Sequence, residues 1–333
     1  MKIPILAGIA IAMVGILAIM VLGSAQPDSD QNRVRVAFFA NIAHAVPIVG
    51  IENGEFASHL GDVPIQPIIV DSGPQAIEAL FANSADMAYV GPSPFINGYV
   101  KSGGEGLKIL SGAASNGASF VVQKDTDILS AADFAGKKIA APSIGNTQDV
   151  SLRTFLSENG LKPAEKGGNV IVYNIANSEI FTLFAKGEID GAWVPEPLAT
   201  ILVEQLGGKR LFNEEDLWPN KQFSSVLLIA RSDFVEKHPE IVKRWIEAHK
   251  KTIKWINEKP RETEITFIDF YKKHTGKMLP ESIVHGAFSN IIITEDANSE
   301  SIRVFAERAN SLGYLGRHGY NLDGAFYQAQ AGV

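Results

Sequence analysis

Short apolar runs rich in β-branched and aromatic residues recur along the chain. Each ends in Gly, Pro or Asn and is followed by apolar positions at helical spacing, the pattern of a mainly parallel sheet. The first half shows it repeatedly: a strand at 34–39 before a helix near 46–56, a strand at 65–70 before a helix at 74–82, a strand at 87–90 before a helix at 93–100, and a closing strand at 107–111. The alternation then restarts. Strands are predicted at 120–123 and 138–141, the latter leading into a helix over 147–158, and strands at 170–173 and 191–194 precede helices at 178–185 and 197–206. Beyond residue 220 one buried strand, 223–230, is followed by helices at 238–257, 261–274, 280–288 and 299–312. In the first of these, Ile241, Val242, Trp245, Ile246, His249, Ile253 and Ile256 fall near helical spacing. Lys243, Arg244, Glu247, Lys250, Lys251 and Lys254 cover the remainder and read as a solvated face.

An internal similarity supports the restart. Leu80-Phe81-Ala82 followed by Asp86-Met87-Ala88-Tyr89-Val90-Gly91-Pro92 matches Leu183-Phe184-Ala185 followed by Asp190-Gly191-Ala192-Trp193-Val194-Pro195, with one residue more in the second connection. Two equivalent α/β lobes account for it, and so does a chance reuse of one helix–turn–strand solution. With two lobes, both copies present an aromatic residue and a proline-bounded loop at the carboxyl end of a strand, where open α/β sheets bind ligands. The predicted organisation is a first lobe at 33–116, a second at 117–220, and a return strand with C-terminal helices over 221–333 that pack back on the first.

The amino terminus differs in kind. Residues 3–23 carry no charge over 21 positions, close to the ~20 needed for a helix across a bilayer. Lys2 precedes the run and the small residues Gly23-Ser24-Ala25 follow it, so residues 1–25 read as either a cleaved signal or a retained membrane anchor, with 26–32 as a polar linker. Either places the rest outside the cytoplasmic membrane, in the periplasm or at the cell surface. The 333 residues contain no cysteine, which excludes disulfides, thiolate metal sites, a cysteine nucleophile and a lipid-bearing N-terminal cysteine. A formal net charge of −7 makes a nucleic-acid partner unfavourable but does not exclude a small anionic ligand. Seven histidines show no metal-binding pair on a helix, and no nucleophile elbow, P-loop or complete dinucleotide-binding glycine motif follows a strand. No cofactor or metal is expected.

The candidate chemistry sits at strand ends. In Ala141-Pro142-Ser143-Ile144-Gly145-Asn146-Thr147-Gln148-Asp149, a strand gives way through a small-residue turn to a helix whose first N–H groups and positive dipole end can receive an anion without any basic side chain. Gly145, Asn146 and Thr147 are the candidate donors; the alternative is that Thr147 only caps the helix, with Asp149 favoured in its first turn. Gly73 within Ser72-Gly73-Pro74, and Ser93 within Gly91-Pro92-Ser93-Pro94, occupy comparable junctions. Asn41 and His44, just after the first strand, are either ligand contacts or a helix cap. In Trp193-Val194-Pro195-Glu196-Pro197, Trp193 either packs against the sheet or faces the ligand. Glu196 either stabilises a helix start or points into the cleft, where it would favour a zwitterion over a simple anion.

These segments together (41–45 with 50–56, 72–74, 86–94, 145–149 and 190–197) resemble the substrate-binding proteins of ABC importers, in the nitrate/sulfonate/taurine branch, over about residues 33–320. The resemblance implies a type II periplasmic binding protein fold: two Rossmann-like lobes joined by a double-crossover hinge, here preceded by the N-terminal apolar helix. It implies a non-catalytic protein that closes over a small organic sulfonate, taurine or an alkanesulfonate, and delivers it to an ABC permease driven by a cytoplasmic ATPase. Nitrate, bicarbonate and a pyrimidine precursor are the alternatives within the branch, and an enzyme on the same fold is the alternative outside it. Position by position, the resemblance puts Ser93, Asn146 and Thr147 at the anionic head, Asn41, His44 and Gly73 beside it, and Trp193 and Glu196 opposite. Most bacterial relatives use a cleaved signal or a lipid-bearing cysteine, and this chain has neither in clear form; a membrane helix as tether, as among archaeal or Gram-positive relatives, would account for that.

Overall fold

A strand such as Met87-Ala88-Tyr89-Val90 has no polar face, so it requires cover on both sides. All four of its residues are buried. The computed structural model describes residues 33–316 and 319–328. Eleven strands among them form two sheets: β1 (Val34–Phe38), β2 (Ile65–Ile69), β3 (Met87–Val90), β4 (Leu107–Asn116), β5 (Ala118–Val122), β6 (Lys138–Ala141), β7 (Ile171–Asn174), β8 (Gly191–Pro195), β9 (Lys209–Asn213), β10 (Ser224–Arg231) and β11 (Ile291–Ile293). The first sheet has the order β11-β4-β10-β3-β1-β2 and the second β7-β6-β8-β5-β9. In the first, β1, β2 and β3 run parallel while β10 opposes both its neighbours. In the second, β6, β7 and β8 run parallel while β5 opposes both of its own. Read from one edge, β2-β1-β3-β10-β4 and β7-β6-β8-β5-β9 are the same arrangement in order and sense.

The repeated sequence motif lies at matching places in this arrangement, since its strands are β3 and β8. Its aspartate also does the same work in each copy. Asp86 accepts a hydrogen bond from the backbone N–H of Arg35 at 2.9 Å and returns its own N–H to the Arg35 carbonyl at 2.8 Å. Asp190 accepts from the N–H of Lys138 at 2.7 Å and likewise returns its N–H to that residue's carbonyl at 2.8 Å. Each aspartate therefore fixes the start of the neighbouring parallel strand, β1 or β6. The motif's aromatic residues, Tyr89 and Trp193, are both fully buried.

The chain passes from one sheet to the other at β4–β5 and returns between β9 and β10. Asn116 ties the two crossings together. Its N–H donates to the Phe223 carbonyl at 3.0 Å, its Nδ2 to the Lys221 carbonyl at 3.2 Å, and its Oδ1 accepts from the Phe223 N–H at 3.2 Å. Asn116 has φ +64° and Gly117 φ +79°, a left-handed pair that Asn and Gly adopt at little cost. The predicted double crossover and α/β class are present.

Several elements differ from the pattern-based expectation. The helix expected near 46–56 is two helices, Ala45–Glu52 and Glu55–Leu60, broken at Gly54, whose φ is +81°. Strand β4 runs five residues past the predicted end at 111, and β9 and β11 had no counterpart in the pattern. The charged positions Lys243, Glu247, Lys250, Lys251 and Lys254 of the helix Pro239–Glu258 are exposed, while its Trp245 and His249 are buried against the first sheet's core. The apolar helix and linker expected at 1–32 lie outside the described residues. Among the described residues, no helix is long and apolar enough to cross a membrane.

Candidate functional site

Strand carboxyl ends from both sheets meet at one cleft. The space between them, open solvent included, is about 640 Å³. Phe39, Asn41, Ala43, His44 and Asp71 line it from the ends of β1 and β2, Gly91 and Pro94 from the end of β3, and Ser225 and Val226 from β10. Opposite stand Pro142, Ser143, Asn146, Thr147 and Gln148 after β6, Ala176 and Asn177 after β7, and Pro195 of β8, with Asn116 and Gly117 of the crossing at the back.

The donor wall is the start of the helix Thr147–Glu158. Its preceding residue Asn146 makes no side-chain cap, leaving the first-turn N–H groups without the usual internal acceptor. Instead, Asn146 Oδ1 accepts from the N–H of Gly73 at 3.0 Å, a bond from one half to the other. Thr147 is 4% exposed, lines the cleft, and its hydroxyl makes no hydrogen bond among the described residues. A partial positive charge of about half a unit belongs to such a helix end.

His44 adds a neutral donor. The Phe39 N–H points at its Nδ1 at 3.4 Å, which leaves the proton on Nε2, and the ring stacks on Phe39 with centroids 4.3 Å apart. Burial pushes its pKa down to about 3, so it is uncharged at neutral pH. Among the described residues, no lysine or arginine lines the cleft, and Asp71 is its one carboxylate. Asn177 Oδ1 and Ser225 Oγ are buried there without a hydrogen-bond partner among the described residues. The cleft is thus bipolar, with amide and hydroxyl donors against the helix start and acceptors at Asp71 and Asn177. No group of three or more His, Asp or Glu suited to a metal occurs among the described residues.

Of the nine candidates from the sequence, Asn41, His44, Asn146 and Thr147 line the cleft. Five do not, each for a physical reason. Gly73 spends its N–H on Asn146 and is packed so tightly that a Cβ would fall 2.2 Å from Pro94 Cγ. Ser93 is buried with its hydroxyl unpartnered among the described residues, and Pro94, one residue on, presents the cleft surface. Gly145, at φ +81°, donates its N–H to Asp149 Oδ2 at 3.0 Å, so that amide is consumed inside the turn. Trp193 is a core residue: its indole N–H donates to Glu214 Oε2 at 2.6 Å and its ring meets Phe120, Phe155 and Phe212 edge-on. Glu196 is fully buried behind the cleft. It accepts from Arg210 Nη2 at 2.7 Å, Asn290 Nδ2 at 3.0 Å and the Thr200 N–H at 3.0 Å, while burial pushes its pKa up. It therefore cannot serve the cationic part of a ligand.

Residues passed over in the sequence include Asp71, Asn177, Ser143 and Gln148. Ser143 and Gln148 lie within the turn already singled out. Asp71 directly precedes Ser72-Gly73-Pro74 and Asn177 follows β7, so the strand-end rule, applied to every parallel strand, reaches both.

Comparison with known proteins adds the following. A family model described as the NMT1-like family matches residues 27–268. A binding protein of Brucella abortus (strain 2308) is 31% identical over 220 residues, which is 66% of this chain and 65% of that protein, so the match spans just under two thirds of the relative's own length. The taurine-binding periplasmic protein of Escherichia coli (strain K12) is 30% identical over 178 residues, 54% of this chain and 53% of that protein. The structure of the alkanesulfonate-binding protein SsuA from Xanthomonas axonopodis pv. citri bound to MOPS superposes with a TM-score of 0.72, covering 86% of this chain and 95% of that one at 15% identity, a likeness of fold.

Proposed function

The chain belongs to the NMT1-like family, and from that premise we propose that it is the extracytoplasmic solute-binding component of an ABC importer, capturing a small organic sulfonate by closure of its two halves and handing it to a permease. The relatives named as binding proteins for taurine and alkanesulfonates support the ligand class. The observation that carries the reading is the uncapped start of the helix Thr147–Glu158, opening on a cleft that, among the described residues, no lysine or arginine lines. In a site closed to water, fixed N–H donors stabilise a sulfonate without the desolvation cost of a buried lysine or arginine. The carboxylate of Asp71 then suits a ligand with an ammonium group at its other end, which favours taurine over a plain alkanesulfonate. The role expected of Glu196 passes to Asp71. No step of catalysis is assigned. Attachment of the protein to the membrane through residues 3–23 is part of the same proposal.

Calorimetric titration with taurine, ethanesulfonate, nitrate and bicarbonate tests this. The expected result is tightest binding of taurine, with Asp71→Asn weakening taurine about tenfold, as for loss of a charged hydrogen bond, and ethanesulfonate by less than twofold. Preference for nitrate or bicarbonate would move the assignment to an inorganic oxyanion, and failure of all four to bind would overturn the ligand class.

A further inference from the structure

The turn that opens the donor wall is held from below by one carboxylate. Asp149, in the first turn of the helix Thr147–Glu158, is fully buried and accepts four hydrogen bonds. Its Oδ2 takes the N–H of Gly145 at 3.0 Å and the hydroxyl of Tyr314 at 2.7 Å, and its Oδ1 takes Arg153 Nε at 2.7 Å and Asn174 Nδ2 at 2.8 Å. Asn174 also reaches the carbonyl of Pro142, on the other side of the turn, at 3.0 Å. Three of the four donors belong to the same half as Asp149. Tyr314 does not. It follows the helix Ser299–Ser311, whose Ile302, Phe305 and Ala306 pack in one cluster with Phe95, Leu227 and Ile229 of the first sheet's half. Its N–H is fixed to the Ala309 carbonyl at 2.9 Å.

We propose that Tyr314 is a positioning residue for the ligand site: by donating from the other half to Asp149, it holds the turn 143–146 and the first amides of the helix in the ligand-receiving arrangement before ligand arrives. Without that donor, Asp149 keeps three hydrogen bonds within its own half, and the turn loses its constraint from the other. Burial and the neighbouring carboxylate push the Tyr314 pKa well above the ordinary tyrosine value, so the hydroxyl remains a donor throughout the physiological range. The inference rests on the reading that the ligand sits at this helix start, and its test has an arm that needs no ligand.

The variant is Tyr314→Phe, which keeps the ring. In the ligand-free protein, hydrogen exchange followed by mass spectrometry should accelerate about tenfold for peptides covering 143–150, the size expected for losing one hydrogen bond to a charged acceptor. Peptides covering 177–185, an equivalent helix without this contact, should not change. With taurine, the dissociation constant should rise about tenfold through faster release, while the ligand-free melting temperature moves by no more than about 2 °C. In Asp149→Asn the further effect of Tyr314→Phe should shrink to less than threefold. Unchanged exchange at 143–150 overturns the proposal, as does acceleration spread evenly along the chain, which would mark a merely structural bond. If wild type fails to bind taurine, the failure falls on the function proposed above and the exchange result alone decides the role of Tyr314.

Discussion

The two halves build the same five strands in the same order and begin their central strands with the same aspartate clamp, but they treat the next loop in opposite ways. After β1, Asn41 accepts the N–H of Ala43 at 3.1 Å and so closes its own turn, and His44 is buried against Phe39. After β6, Asn146 caps nothing on its own helix and gives its oxygen to the other half. Topology therefore brings equivalent helix starts to one cleft, and the choice of a few side chains decides which of them keeps its donors free. Ligand specificity in such a pair of halves resides in the unused hydrogen bonds rather than in the fold.

The largest contrast expected is with acid. The described first half buries His44 and His249, with pKa values pushed down to about 3 and about 4 by burial, and residues 117–220 contain no histidine. A histidine whose folded pKa lies below its ordinary 6.5 adds stability that is present above that value and is lost as pH falls toward the folded value. Below 6.5 and above about 4 the unfolded state binds two more protons than the native state, a slope of at most about 3 kcal/mol per pH unit. In the second half, Glu196 and Glu214 have pKa values pushed up by burial, so the native form takes up protons first and gains stability as pH falls. Hydrogen exchange at pH 7 and pH 5, corrected for intrinsic rates, should show β1 and β3 losing protection relative to β6 and β8. Equal loss would remove the contrast.

A second contrast of smaller size concerns the clamp itself. Asp86 also pairs with Arg35 and Arg231, at 2.7 and 3.3 Å, whereas Asp190 makes no ion pair among the described residues. Asp86→Ala should therefore cost about 2 kcal/mol, because two partly buried guanidinium groups lose a charged acceptor while Arg35 keeps the Asn83 carbonyl and Arg231 keeps Asp233. Asp190→Ala should cost about 1 kcal/mol, the size of one backbone hydrogen bond. Urea midpoints of the two variants decide it, and equal shifts would mean that the extra pairing of Asp86 is unimportant.

The same comparison explains what could be read from the sequence. Strands bounded by Asp, Gly or Pro, and a helix opened by a small-residue turn, are legible almost to the residue: β3, β6 and the helix Thr147–Glu158 have the predicted bounds. Strand β9, Lys-Arg-Leu-Phe-Asn, was not, because only its middle is apolar, and β11 has three residues. The missing β9 had a cost at the site. Arg210, the partner that removes Glu196 from the cleft, lies on that strand. Trp193 failed differently: β8 is covered on both faces, so alternation along it cannot say which side is the cleft. Gly145 was assigned by its position in a turn, while the fate of its amide depended on a carboxylate four residues later. Sequence patterns reveal which strand ends meet, and the spending of individual hydrogen bonds becomes visible only in three dimensions.

The most direct test of the central claim is amide chemical shifts during a titration with taurine. The N–H signals of Thr147 and Gln148 should move together and saturate with the ligand, while those of Ile42 and Ala43 in the equivalent loop of the first half move little. Large shifts at Ile42 and Ala43 with Thr147 and Gln148 unmoved would contradict the account.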